Sequence, residues 1–301
     1  MMIIDGSVIV SIGTFLRQAH ELALTRYKYE DILLEDDLLS SYGDALEAAC
    51  LHTLRTFCDT DMCTHAYRSA NMAEMVGYAL NLSRQELVTL RIAALLHDIG
   101  KIAVPAPILY KPGSLDSSER AYIQMHPQLG QRILQLAGES FLPFIPIVLT
   151  HHEFWDGSGY PHGLYGEAIP LLTRIITVVD SYDAMVSLRV YGKPQSVMQA
   201  HQELLRCAGQ QFDPNIVSAF LALFDSQPAQ QSFYDAETAL SPRYPTSSDV
   251  ARLALAVAYA KSLNKWTCTG WRNVLSAFTS IWRIRSRVSL KWLLNSSRVW
   301  Q

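Results

Sequence analysis

The chain has 301 residues, 49% hydrophobic and 18% charged, enough apolar material for one large core or two modest ones. No apolar run approaches the roughly 18 to 20 residues of a membrane-spanning helix, and Asp5 precedes the first basic residue, Arg17, unlike a secretory leader; a cytoplasmic location is expected. The net charge of -3 hides an asymmetry: residues 251–301 carry nine Lys or Arg and no acid, leaving 16 basic against 28 acidic residues, a net -12, in the first 250.

Residues 1–48 combine an apolar run from Val8 to Ile12, helical spacing through Leu16, Leu22 and Leu24, and an acidic patch at Glu30, Asp31, Glu35, Asp36 and Asp37. They read as a helical N-terminal segment, either a cap on the main domain or a partner-binding piece. From about Asp44 the pattern turns helical and stays so. Leu87, Leu90, Arg91, Ala94, Leu95 and Asp98 follow the three-to-four spacing of a helix buried on one side, and Pro105 and Pro107 bar its continuation, so His97 and Asp98 fall in its last turn. Asp116, with Glu119 three residues on, reads as an N-cap opening a helix that breaks at His126-Pro127. A short helix is predicted to end at His151-His152, and Ile169-Pro170 to open a long one running through Ser187. On that helix Asp180 and Asp183 share a stripe with Ile176 and Val179. Period-two stretches are few, so the fold class is all-α. The five cysteines (Cys50, Cys58, Cys63, Cys207, Cys268) are odd in number and lack a CxxC pair, which argues for reduced, mostly buried thiols.

Metal-competent side chains recur every 25 to 32 residues, one set per helix: His65, His97 with Asp98, His126, His151 with His152, and Asp180. A helical bundle builds a metal site in this way, each helix projecting one or two side chains inward. A lone histidine such as His65 or His126 reads as a core or capping residue; the joint occurrence in order on separate helices changes that. Imidazole with carboxylate and no thiolate favours iron or manganese over structural zinc, and seven such groups exceed the needs of one tetrahedral ion. The chemistry implied is a binuclear hydrolytic centre, with two ions about 3.5 to 4 Å apart clamping a phosphoryl oxygen.

His97-Asp98-Ile99-Gly100-Lys101, Pro105, Leu109, Lys111-Pro112-Gly113, His126-Pro127, Gly130, His151-His152-Glu153 and Trp155-Asp156-Gly157-Ser158-Gly159-Tyr160-Pro161 together resemble the HD-GYP subclass of the HD-domain phosphohydrolases. The resemblance covers about residues 50–225 and sets the expected domain at 49–225. It implies an HD-domain helical bundle that hydrolyses cyclic di-GMP to pGpG or GMP through a metal-bridging hydroxide. It also implies His65, His97, Asp98, His126, His151, His152 and Asp180 as metal ligands, with Asp98 as the bridge. Lys101 is expected to face the scissile phosphate, and Asp183 to hydrogen-bond the ligand set or a bound water. Arg189 is expected to contact substrate phosphate.

The departures from the family pattern are specific. Phe154 stands where the family commonly has Arg before the Trp. Arg189-Val190-Tyr191 replaces Arg-Pro-Tyr, with Gly192 at a position often basic and Lys193 one place late. Asp61-Met62-Cys63-Thr64 replaces the usual approach to the first histidine, and Asp61, one turn before His65, stands where some members hold a third ion. These changes keep open a weakly active binding module, or a phosphohydrolase of another cyclic nucleotide.

Residues 226–250, with Pro228, Pro242 and Pro245, read as a linker. The 251–301 tail interleaves Trp266, Trp271, Trp282, Trp292 and Trp300 with its basic residues, as a helical segment that docks on the acidic part of the chain or on a protein partner, or lies on an anionic membrane face. No specific nucleic-acid binding is expected. The loop at Gly157–Pro161 is a second candidate partner surface, and a homodimer is compatible with both.

Overall fold

Helical periodicity is followed throughout the residues that the computed structural model describes, 5–27, 35–187 and 194–224. Arg189, Gly192, Lys193, the 226–250 linker and the basic 251–301 tail lie outside the described residues, so the expectations placed on them are not met with structure. Among the described residues there is no strand; two isolated bridges, Asp156 with Tyr165 and Ala208 with Phe212, are the sole β pairings. No described helix is long and apolar enough to cross a membrane.

Eleven α-helices carry the described fold: α1 (Gly6–Tyr27), α2 (Glu35–Phe57), α3 (Thr60–Ala79), α4 (Arg84–Leu96), α5 (Ala106–Leu109), α6 (Ser117–Gln124), α7 (His126–Ala137), α8 (Ile145–Thr150), α9 (Leu171–Val186), α10 (Val197–Arg206) and α11 (Pro214–Phe224). The centre of the core is α4, which starts on a Ser83/Glu86 capping box and buries Leu90 and every residue from Ile92 to Leu96. A stretch buried on all sides, as Ile92–Leu96 is, needs neighbours on all sides; α2, α3, α8 and α9 supply them. Arg91, on the same helix, reaches a half-buried carboxylate cluster, with Nη2 2.7 Å from Glu47 Oε1 on α2 and Nη1 2.7 Å from Glu74 Oε2 on α3.

The boundary expected near residue 48 falls inside α2, which runs through it without a break. α1 packs against α2 and α7 and buries Ile9, Ile12 and Leu16. Close approach of α1 to α7 depends on Gly13: a Cβ there would lie 2.6 Å from Leu136 Cβ and 2.8 Å from the Ile133 carbonyl oxygen.

Helix ends differ from the sequence reading by about a residue, and the difference matters to the site. α4 stops at Leu96, so His97 is its C-cap, and Asp98 leads into a 3-10 turn over Ile99–Ala103. α6 opens on the expected Asp116/Glu119 capping box. The predicted break falls at Met125, leaving His126 as the first residue of α7, with Pro127 beside it where its missing N–H costs nothing. α8 ends at Thr150, and His151 caps it.

Candidate metal centre

Three of the histidines sit at helix junctions, where the backbone itself orients them. The last carbonyls of a helix lack intrahelical partners. His97 Nδ1 meets the Ala94 carbonyl oxygen, His126 Nδ1 that of Ile123, and His151 Nδ1 that of Val148, each at 2.7 Å. A carbonyl accepts only, so each Nδ1 carries a proton and each Nε2 is the nitrogen turned inward. His65, inside α3, gets the same orientation from a side chain: its Nδ1 lies 2.7 Å from Asp183 Oδ2.

The inward nitrogens then crowd together. His126 Nε2 is 3.1 Å from His151 Nε2, and His65 Nε2 is 3.3 Å from His97 Nε2. Where both nitrogens are unprotonated, two acceptors at that separation repel unless a cation sits between or beside them. Asp98 spans both pairs. Its Oδ1 is 3.2 Å from His126 Nε2 and 3.8 Å from His151 Nε2, while its Oδ2 is 3.4 Å from His97 Nε2 and 3.8 Å from His65 Nε2. Asp180 Oδ1 adds a second carboxylate, 3.2 Å from His65 Nε2 and 3.8 Å from His97 Nε2. Asp98, His126, His151 and His152 form one group with metal-holding geometry, and His65, His97 and Asp98 form another. The donor set, imidazole lone pairs around two carboxylates with no thiolate, fits hard-to-borderline divalent ions.

Charge in the site is polarised between the two groups. Burial works against a charged His97, but the Asp98 and Asp180 carboxylates prevail and push it up to about 10. Burial also opposes ionised Asp98, yet the Lys101 ammonium and the His97 and His126 imidazoles hold it well below the usual carboxylate range. Burial and the neighbouring imidazoles press His151 well below its ordinary value, and burial with His126 brings His152 down to about 4. The His65/His97 side attracts a proton, whereas the His151/His152 side refuses one and so keeps its imidazoles neutral, the form in which they can donate to a metal.

The other expected site residues divide. Lys101 Nζ lies 2.5 Å from Asp98 Oδ2, so it neutralises the shared carboxylate, three residues back in the 3-10 turn. Asp183 is 2% exposed and faces His65 rather than open space. Asp61 is exposed in the first turn of α3 and belongs to neither metal-competent group.

Three residues without a role in the sequence reading complete the site. Arg68 donates through Nε to Asp183 Oδ1 at 2.5 Å and through Nη2 to Oδ2 at 2.9 Å, fixing the carboxylate that orients His65. Glu153, 1% exposed, accepts from the backbone N–H of His162 at 2.7 Å and of Leu164 at 2.9 Å, tying the glycine-rich loop into a closed shape. That closure lays the Tyr160 ring over His152, centroids 4.9 Å apart and planes 26° from parallel. Only Arg68 had a local signal, one helical turn after His65; the loop contacts depend on the closed backbone.

Fold and centre together define a class: a helical protein built around a two-part histidine centre that shares one aspartate. The chain belongs to the HD-domain family, whose pattern matches residues 54–216. HD-domain phosphohydrolases are metal-dependent, and the two groups described here are a fitting donor set. The chain is similar to a cyclic di-GMP phosphodiesterase of Thermotoga maritima, 38% identical over 197 residues, 65% of this chain and 50% of that protein. It is similar to the cyclic di-GMP phosphodiesterase response regulator RpfG of Xanthomonas campestris, 41% identical over 51% of this chain and 41% of that one. A 3'3'-cGAMP-specific phosphodiesterase 2 of Vibrio cholerae is 38% identical over 54% of this chain and 31% of its own. The matched region thus spans half or less of the length of these relatives.

Proposed function

We propose that this chain is a metal-dependent phosphodiesterase that opens cyclic di-GMP to pGpG or GMP. The observation that carries the proposal is the division of Asp98, whose two oxygens face different histidine groups. Two divalent ions, iron or manganese by donor chemistry, would polarise a phosphoryl oxygen and make water acidic near neutral pH. His65, His97 and Asp180 would hold one ion, His126, His151 and His152 the other, with Asp98 common to both. Lys101, already drawn to the Asp98 carboxylate, would offset negative charge gathering on the phosphate. Asp183, gripped by Arg68, would keep the His65 lone pair aimed inward. Asp61 as a ligand for a third ion and Arg189 as a phosphate contact complete the proposed site. The tail or the glycine-rich loop would receive a protein partner, a membrane face or a second copy. A cytoplasmic setting fits four described cysteines that are all unpaired.

The test is turnover of cyclic di-GMP by the iron- or manganese-loaded full chain. Two bound ions with no pGpG or GMP formed would refute the assignment. A second reading, 3'3'-cGAMP or another cyclic dinucleotide as the preferred substrate, rests on the similarity to the Vibrio enzyme and on a site that recognises phosphate without reading bases. A substrate panel compared by kcat/KM separates the two.

A further inference from the structure

The corner between α2 and α3 holds two thiols with no part in the proposed hydrolysis. Asp59 is the N-cap of α3: its side chain accepts from the Met62 N–H at 2.7 Å, and its carbonyl accepts from the Cys63 N–H at 3.1 Å. Cys58 is therefore the residue just before the cap and Cys63 the fourth helical residue. Those two positions bring their side chains together across a helix N-terminus, and an apolar pair usually fills them as a hydrophobic staple. Here both are cysteine. Both pack, partly buried, against the same core. Both are half-exposed and unpaired, unlike the buried Cys50 and Cys207. The corner is held in place independently, since the Tyr110 hydroxyl donates to Asp59 Oδ2 at 2.8 Å.

We propose that Cys58 and Cys63 form a dithiol site, two residues from His65, which a peroxide-class oxidant converts into an intramolecular disulfide. The balance is simple. One thiolate of the pair attacks a peroxide oxygen, the O–O bond breaks, and sulfur, oxidised by two electrons, becomes a sulfenic acid while the other oxygen leaves as water. The second thiol then attacks that sulfur, the S–S bond forms, and the sulfenic oxygen departs as water. Two thiols and one hydrogen peroxide become one disulfide and two waters. The two positions face each other across the Asp59 cap, so the link would staple the first turn of α3.

The experiment uses the full chain, reduced and loaded with manganese so that no bound iron reacts with the peroxide. Stoichiometric hydrogen peroxide is added, remaining thiols are alkylated, and peptides are mapped by mass spectrometry. The expected result is a fall in alkylatable thiols from five to three, a Cys58–Cys63 cross-link two hydrogens lighter than the dithiol, and full reversal by dithiothreitol. C58S and C63S should each form no such link, and the remaining thiol should be trapped by dimedone as a sulfenic acid. Five thiols left intact, a link to Cys50, Cys207, Cys268 or a second chain, or loss of two thiols in C63S as in wild type would each overturn the proposal. The readout is thiol chemistry, so it stands or falls apart from the activity on cyclic dinucleotides.

Discussion

Asp98 is the residue on which the two histidine groups depend. Asp98→Asn keeps the volume but removes the shared charge and half the acceptor capacity, leaving crowded imidazole nitrogens with one carboxylate in place of two. Metal content measured after dialysis is expected to fall on both sides, with affinity reduced by more than about 100-fold, beyond what loss of an outer partner costs. The histidines also set a pH response in the metal-free protein. His151 and His152 have folded values pressed below the ordinary 6.5, His152 to about 4. Between about pH 6.5 and 4 the unfolded chain takes up protons that these two refuse, so stability falls as pH falls through that window. His65 and His97 are raised and so are charged in both states there, adding no slope; above pH 6.5 they reverse the sign, and stability falls as pH rises toward about 10. His152 alone accounts for a change on the order of 3 kcal/mol across its window. Denaturant titrations of chelator-treated protein at pH 6.5 and 4.5 should show this, and His152→Gln should make the acid-side slope shallower.

At the scale of elements, the loop after His152 closes over that imidazole, which the proposed centre would use as a ligand. Tyr160→Phe keeps the ring over His152 and should leave metal affinity within about twofold. Tyr160→Leu loses the stack, worth about 0.5 to 1.5 kcal/mol, and should weaken binding roughly 2- to 10-fold, read by competition with a chromophoric chelator. Equal loss in both variants would mean that the hydroxyl, not the ring, does the work. Gly100 is the matching contact on the other side: a Cβ there would sit 1.9 Å from the His126 carbonyl oxygen and 2.6 Å from the Gly130 nitrogen. Gly100→Ala must push α7 away, at about 1 to 3 kcal/mol, and the melting temperature should drop by roughly 2 to 10 °C. These contacts explain what could be read in advance. That His65, His97, Asp98, His126, His151, His152 and Asp180 converge could be read from the sequence, because each helix carries its own metal-competent side chain and the spacing repeats. Arg68 was not legible, because its partner Asp183 is 115 residues away and only packing of α3 on α9 makes them neighbours. The role of Glu153 was equally hidden, since its acceptors' donors lie 9 and 11 residues on and meet it only after the loop has closed. Lys101 was legible as a site residue, but its hold on Asp98 follows from the 3-10 turn, which no periodicity announced.

For the molecule as a whole, the proposed centre would be a stability element in its own right once loaded. Two carboxylates and five imidazoles converge at the junctions of α3, α4, α7, α8 and α9, so ions bound only by the folded state add RT ln(1 + [L]/Kd), about 4 kcal/mol at a thousandfold excess over Kd. Chelation should lower the melting temperature by on the order of 10 °C, and readdition of iron or manganese should restore it. An unchanged melting curve on full removal of metal would mean that the groups do not hold ions tightly.

Gly13 gives the N-terminal helix a part that its own residues do not suggest. It lets α1 rest directly on the backbone of α7, and the first residue of α7 is His126. The N-terminal helix thus buttresses the element that carries His126, and so belongs to the same packed unit as the histidine that faces Asp98.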